Sequence, residues 1–158
     1  MSLDDWILAF HLLSAVALVA AEVIFTIMIA ALWRSDSPPR VASTMPLARV
    51  GTVLVMAGMG GTILFGVWLA ISRDEYQLWD GWVIAALVLW AIGGYLGQLA
   101  GAGYQAGGEL AEKLVAEGAT SSPALAEIFG ASRAFWLHTA TLAVIVLIIL
   151  DMIWKPGA

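Results

Sequence analysis

The sequence contains no cysteine, which excludes disulfide frameworks, thiolate metal sites, iron–sulfur clusters and cysteine nucleophiles. Charge is scarce as well: Asp, Glu, Lys and Arg make up 12% of the 158 residues, about half the share in an ordinary soluble domain. Basic residues are the scarcer sign, seven Lys and Arg against twelve Asp and Glu for a net charge of −5. Without a basic run to follow a phosphate backbone, nucleic acid is not an expected partner. Soluble-enzyme motifs are missing too. Gly58-Met-Gly-Gly-Thr62 is not followed by the lysine of a phosphate loop, and neither H-E-x-x-H nor G-x-S-x-G occurs.

What is present is apolar. Hydrophobic residues make up 61% of the chain and the mean hydropathy is +0.91, too little polar side chain to cover the surface of a soluble domain of this length. The expected class is all-α and integral to a membrane, with the lipid bilayer as its first partner. Four segments reach the ~20 apolar residues needed to cross ~30 Å of hydrocarbon: about Trp6–Trp33, Met45–Ile71, Trp82–Tyr104 and Ala134–Trp154. Asp4 and Asp5 precede the first, and its apolar run is far longer than the core of a secretory signal, so it reads as a retained span.

The connections set the topology. Arg34-Ser-Asp-Ser-Pro-Pro-Arg40 stops a helix, and Ser72 to Gly81 forms a short polar turn. Such connections make successive spans antiparallel, as in an up-and-down four-helix bundle forming a single domain. In the third connection, Glu109, Lys113 and Glu117 fall four apart, with Leu110, Leu114 and Val115 away from that row. Residues 109–117 therefore read as a short amphipathic helix that can extend the third span beyond the membrane. Ser121-Ser122-Pro123 supplies an N-cap and a first-turn proline for a new segment leading through Gly130 into the fourth span. Arg34, Arg40, Arg49, Lys113 and Arg133 lie at one side and only Arg73 and Lys155 at the other, which places both termini outside. Trp6, Trp33, Trp79, Trp82, Trp136 and Trp154 fall near span ends, where an indole suits the interface.

Helices associate in lipid where small residues let backbones approach. Gly93, Gly97 and Gly101 on the third span, and Gly58, Thr62 and Gly66 on the second, recur at four-residue spacing and mark a packing face on each. The same glycine faces would serve a homo-oligomer or a structural accessory subunit of a membrane complex.

The intramembrane polar residues carry the functional argument, because an ionisable side chain at the bilayer centre costs at least ~2.5–3.5 kcal/mol and must be compensated. At ~1.5 Å per residue, Glu22 falls within ~4 Å of the midpoint of its span. His11, Ser14, Glu22 and Thr26 share one helical stripe that should face the bundle interior. His138 and Gln98 come out at ~7 Å inward of the midplane, near the depth of Glu22. First and fourth helices are neighbours in a sequential bundle, so a Glu22–His138 contact is sterically reasonable. Such a pair holds either an ionised carboxylate and an imidazolium or one shared proton.

His11 lies ~13 Å outward of the midplane, ~20 Å from the depth of His138, so one haem cannot take both as axial ligands. Haem bound through a single histidine, or through a histidine with a methionine partner such as Met56 or Met59, remains open. Zinc or copper would need more ligands than this depth supplies, and no metal site is assigned.

Phe10-His-Leu-Leu-Ser-Ala-Val-Ala-Leu-Val-Ala-Ala21 resembles the first helix of bacterial four-helix membrane proteins of unknown function grouped loosely with the copper-resistance protein D-like families. His11, Ser14 and Ala15 match their pattern, whereas Leu18 stands at the family's Trp and Ala20-Ala21 at its Gly pair. Gly61-Thr-Ile-Leu-Phe-Gly-Val-Trp-Leu-Ala70, Trp79-Asp-Gly-Trp82 and Ala85-Ala-Leu-Val-Leu-Trp90 are similar to the second and third helices of that group. The resemblance implies four helices, a bacterial plasma membrane, and a haem or copper role that can be carried only onto His11.

The sequence reading therefore expects a non-enzymatic membrane protein that binds or conducts a proton, ion or small molecule through Glu22, Gln98 and His138. Its alternatives are a haem- or redox-associated protein using His11 and the accessory subunit.

Overall fold

The computed structural model describes residues 2–73 and 75–156. Its elements are α1 (Leu3–Leu32), α2 (Pro38–Ser72), α3 (Gly81–Ala116), α4 (Pro123–Gly130) and α5 (Ser132–Trp154). No strand occurs among the described residues. Helices α1, α2 and α3 and the α4–α5 stretch are each long and apolar enough to cross a membrane, the architecture of a multi-pass membrane protein built as an all-α four-helix bundle.

Local chemistry explains the helix ends. Ser2 and Asp5 form a reciprocal cap on α1: the Asp5 N–H donates to Ser2 Oγ at 3.2 Å and the Ser2 N–H to Asp5 Oδ2 at 2.7 Å. The segment from Arg34 to Arg40 is expected to stop a helix, and α1 does end before it, at Leu32; α2, however, begins seven residues ahead of the expected apolar span, opened by Pro38 and Pro39. They occupy its first turn, where a missing N–H costs no intrahelical bond and the fixed φ is already helical. Pro46 lies inside the same helix. The amphipathic segment 109–117 continues α3 without a break through Ala116, making that helix ~54 Å long at ~1.5 Å per residue. Leu110 and Leu114 pack inward as expected, but Val115 is exposed and Ala111 is fully buried in its place. Ser122 caps α4 by backbone position, with no side-chain hydrogen bond, and Pro123 begins it.

The small residues decide which helices pair closely. A Cβ on Gly58 would lie 2.6 Å from Leu18 Cγ and 2.9 Å from the Ser14 carbonyl oxygen, and one on Gly51 would lie 2.9 Å from Phe25 Cζ. Gly66 receives the His11 ring, its would-be Cβ 3.0 Å from Cε1. These contacts lock α1 and α2 together. On α3, Gly93 meets Val144 and Gly97 faces Thr141 of α5 at 3.9 Å, so α3 and α5 form a second close pair. Gly101 has no atom within 4 Å of a would-be Cβ and packs nothing. Thr62 turns its hydroxyl to the Gly58 carbonyl at 2.8 Å, satisfying it within its own helix.

The two pairs are tied across α2 and α3, where Trp90 Nε1 donates to the Met59 carbonyl at 3.3 Å and Gly94 admits the Met59 methyl. Helices α1 and α5 touch much less. One end of the bundle is closed by α4, whose fully buried Leu125 and nearly buried Phe129 pack on Met28, Leu32, Val41 and Met45. Asp36 fastens that cap, accepting from the Ser122 N–H at 2.7 Å and from Ser121 Oγ at 2.8 Å. At the opposite end Lys155 donates to the Tyr76 hydroxyl and lies over the Tyr76 and Trp82 rings. Trp82 is consequently buried, unlike Trp6, Trp33, Trp79, Trp136 and Trp154, which are exposed as interfacial residues should be.

Candidate functional site

Among the described residues, Glu22 and His138 are the two ionisable residues buried within the spans, 7% and 9% exposed. Glu22 sits on α1 and His138 two turns into α5, and the structure brings them together: His138 Nδ1 is 3.5 Å from Glu22 Oε2. The other ring nitrogen, Nε2, is 2.9 Å from Thr26 Oγ1. Thr26 in turn donates its hydroxyl proton to the Glu22 carbonyl one turn back, at 2.7 Å. A hydroxyl has one proton to give. With that proton committed to the carbonyl, the Thr26 oxygen accepts from His138, which fixes the Nε2–H form of the ring.

The tautomer has a chemical consequence. A neutral His138 then presents a bare lone pair at Nδ1 toward Glu22, and this is favourable only when the carboxyl carries a proton. The alternative is an imidazolium facing a carboxylate. Either way one proton belongs to the pair Nδ1 and Oε2. At 3.5 Å the separation is within ion-pair range but long for a hydrogen bond, and Oε2 has no hydrogen-bond partner among the described residues. The carboxyl is therefore held near a proton acceptor with an open valence.

The pair forms a wall. Glu22 and His138 both line a central cavity of about 1840 Å³ that lies between the α1–α2 and α3–α5 pairs and is partly open to the surface. On its other flank, Glu22 joins Thr26, Val19 and Leu142 around a shallow groove of about 220 Å³ on the outside of the α1–α5 seam. Thr141, buried one turn beyond His138, also lines the cavity. The sequence reading missed it, although its spacing of three from His138 puts it on the same helix face.

The remaining predicted residues separate. The polar stripe of α1 divides between two neighbours: His11 and Ser14 pack on Gly66, Gly61 and Gly58 of α2, whereas Glu22 and Thr26 meet α5. At ~100° per residue, Ser14 and Thr26 stand ~120° apart around the helix, wide enough for one flank to face each neighbour. Ser14 is satisfied locally, donating to the Phe10 carbonyl at 2.7 Å. His11 still borders the cavity, with Nδ1 buried and unpartnered among the described residues. Gln98 also lines the cavity but makes no hydrogen bond to Glu22 or His138 among the described residues, so the expected three-residue cluster consists of Glu22, His138 and Thr26. Of the methionines weighed as haem partners, Met56 is largely exposed and Met59 packs its methyl on Gly94. Among the described residues, no three of His, Cys, Asp or Glu come together to hold a metal ion. Arg49 pairs with Glu112 at 3.3 Å, both side chains more than half exposed.

No family model, curated protein or solved structure matches this chain.

Proposed function

We propose that this protein is a non-enzymatic membrane protein that takes up and releases a proton, coupled to the binding of a small molecule, at the Glu22–His138–Thr26 cluster. The observation that carries this reading is the fixed ring of His138. Thr26 holds one nitrogen, leaving the other to share a single proton with a buried carboxyl 3.5 Å away. Intramembrane ionisable residues that pair with one another and border a cavity are a recurrent arrangement for proton exchange. A proton suits the site better than a metal ion, which would need a third ligand at this depth. Placement in a bacterial plasma membrane, with both termini outside, rests on the resemblance of the spans and on the distribution of Lys and Arg.

Proteoliposomes loaded with a pH-sensitive dye test the proposal. Wild-type protein should exchange protons with the lumen after an external pH step, and Glu22→Gln, which keeps the side-chain shape, should not. Equal exchange by both proteins would refute it.

A further inference from the structure

The cavity beside Glu22 has properties that a proton site alone does not require. Its volume of about 1840 Å³ exceeds the ~300–1,000 Å³ of ordinary small-molecule pockets. Away from the cluster its walls are largely apolar, with Val83 and Leu87 of α3 and Ile145 and Ile148 of α5 among the lining. Hydrated ions would find few ligands along that stretch, whereas a hydrocarbon chain would be solvated by it.

The cavity is also open sideways. Leu12 and Val16 of α1 line it yet are 56% and 62% exposed, so the outer halves of α1 and α5 do not close over it. The two helices meet instead at Glu22, Thr26 and His138. Since α1 and the α4–α5 stretch are each long and apolar enough to cross a membrane, this opening faces the region that lipid chains occupy.

Polarity at the closed end of the opening identifies the head group. Glu22, whose side chain is nine-tenths buried and whose Oε2 has no hydrogen-bond partner among the described residues, lines the cavity beside His138, and Thr141 borders the same space. The charged residues at the α4 end of the cavity, Arg49, Glu109 and Glu112, are exposed and lie away from this cluster. Among the described residues, no Lys or Arg lines the cavity beside Glu22 to pair an anionic head. A hydroxyl head, which both donates and accepts, matches a carboxyl–imidazole pair sharing one proton.

We propose that the cavity binds a neutral, single-chain lipid with a hydroxyl head, such as a monoacylglycerol, entering between α1 and α5 and seating its head against Glu22 and His138. This rests on the Glu22–His138 reading above and names the ligand class of the same site.

Trp90 lines the cavity and supplies the readout. Full-length protein in nanodiscs is titrated with a monoacylglycerol carrying a dibrominated stearoyl chain, and quenching is compared in Trp90→Phe, the difference reporting the cavity. Dibrominated stearate and a dibrominated phosphatidylcholine are the comparison probes. The expected result is saturable Trp90-dependent quenching by the monoacylglycerol, at least tenfold stronger in half-saturation than by either comparison probe. Glu22→Leu should raise the half-saturation about tenfold, the effect of losing one buried hydrogen bond. Glu22→Gln, whose amide also donates and accepts, should change it by less than threefold while abolishing proton exchange. Quenching that does not saturate, equal quenching by the fatty acid, or an unchanged half-saturation in Glu22→Leu overturns the lipid assignment. Loss of proton exchange in Glu22→Gln is read separately in the dye-loaded proteoliposomes, so failure of the lipid assignment leaves the proton reading standing or falling on its own. Val16→Trp, on the exposed wall of the opening, provides a second variant. It should slow the onset of quenching at least threefold, and an unchanged rate contradicts entry by this route.

Discussion

His138 Nδ1 stands 3.5 Å from Glu22 Oε2 across the seam between α1 and α5, and with the Thr26–His138 contact it joins helices that otherwise scarcely meet. Removing one partner leaves the other buried without compensation. His138→Ala should therefore destabilise the bundle by about 1–3 kcal/mol, measured by reversible unfolding in mixed micelles. The double variant Glu22→Leu with His138→Leu should recover most of that loss, because replacing both members of a buried polar pair by apolar groups is often neutral. Equal destabilisation by the single and double variants would show that the pair does not act as a unit.

Thr26 fixes the ring through Nε2 while its own proton goes to the Glu22 carbonyl. Thr26→Val keeps the shape but removes the acceptor. The ¹⁵N chemical shifts of His138 should then report a mixture of tautomers where the wild type shows Nε2–H alone or the imidazolium. An unchanged spectrum would mean that Thr26 does not set the tautomer.

The close approach of α1 and α2 depends on Gly58, whose would-be Cβ falls 2.6 Å from Leu18 Cγ and 2.9 Å from the Ser14 backbone oxygen. The backbone atom cannot rotate away, so Gly58→Ala should cost about 1–3 kcal/mol through overpacking. Gly101→Ala, with open space around it, should be neutral or gain up to ~1 kcal/mol from helix propensity. Thermal unfolding of the two variants side by side checks the contrast. Equal behaviour would remove Gly58 from the packing account.

Leu125 is fully buried in the cap that α4 places on the bundle. Leu125→Ala should cost about 2–5 kcal/mol and raise hydrogen exchange selectively in residues 117–131. A uniform rise across the chain would show instead that the cap and the bundle unfold together.

Much of this was legible in the residues. The four spans follow from apolar run length, because nothing else accommodates ~20 apolar residues in succession. The Glu22–His138 contact follows from depth along two antiparallel helices. Rotation about each helix was harder to read. The stripe from His11 to Thr26 covers an arc that two neighbours divide, and sequence periodicity does not say where one neighbour ends and the next begins. That is why Gln98 was placed with Glu22 by depth but lies outside the hydrogen-bonded cluster. Gly101 followed the spacing of Gly93 and Gly97 yet lies beyond any partner's reach. Pro38 and Pro39 mark a helix boundary in either direction, and only the structure shows that they begin α2. Trp82 resembled the other boundary tryptophans because burial by Tyr76 and Lys155 comes from chain segments 6 and 73 residues away in sequence.

Infrared difference spectroscopy through a pH titration of the protein in nanodiscs tests the central claim most directly, since it observes the carboxyl carrying the exchanged proton. The account predicts a protonated-carboxyl band whose intensity follows pH, which is absent from Glu22→Gln and altered in His138→Phe. Identical pH-difference spectra from wild type and Glu22→Gln would contradict it.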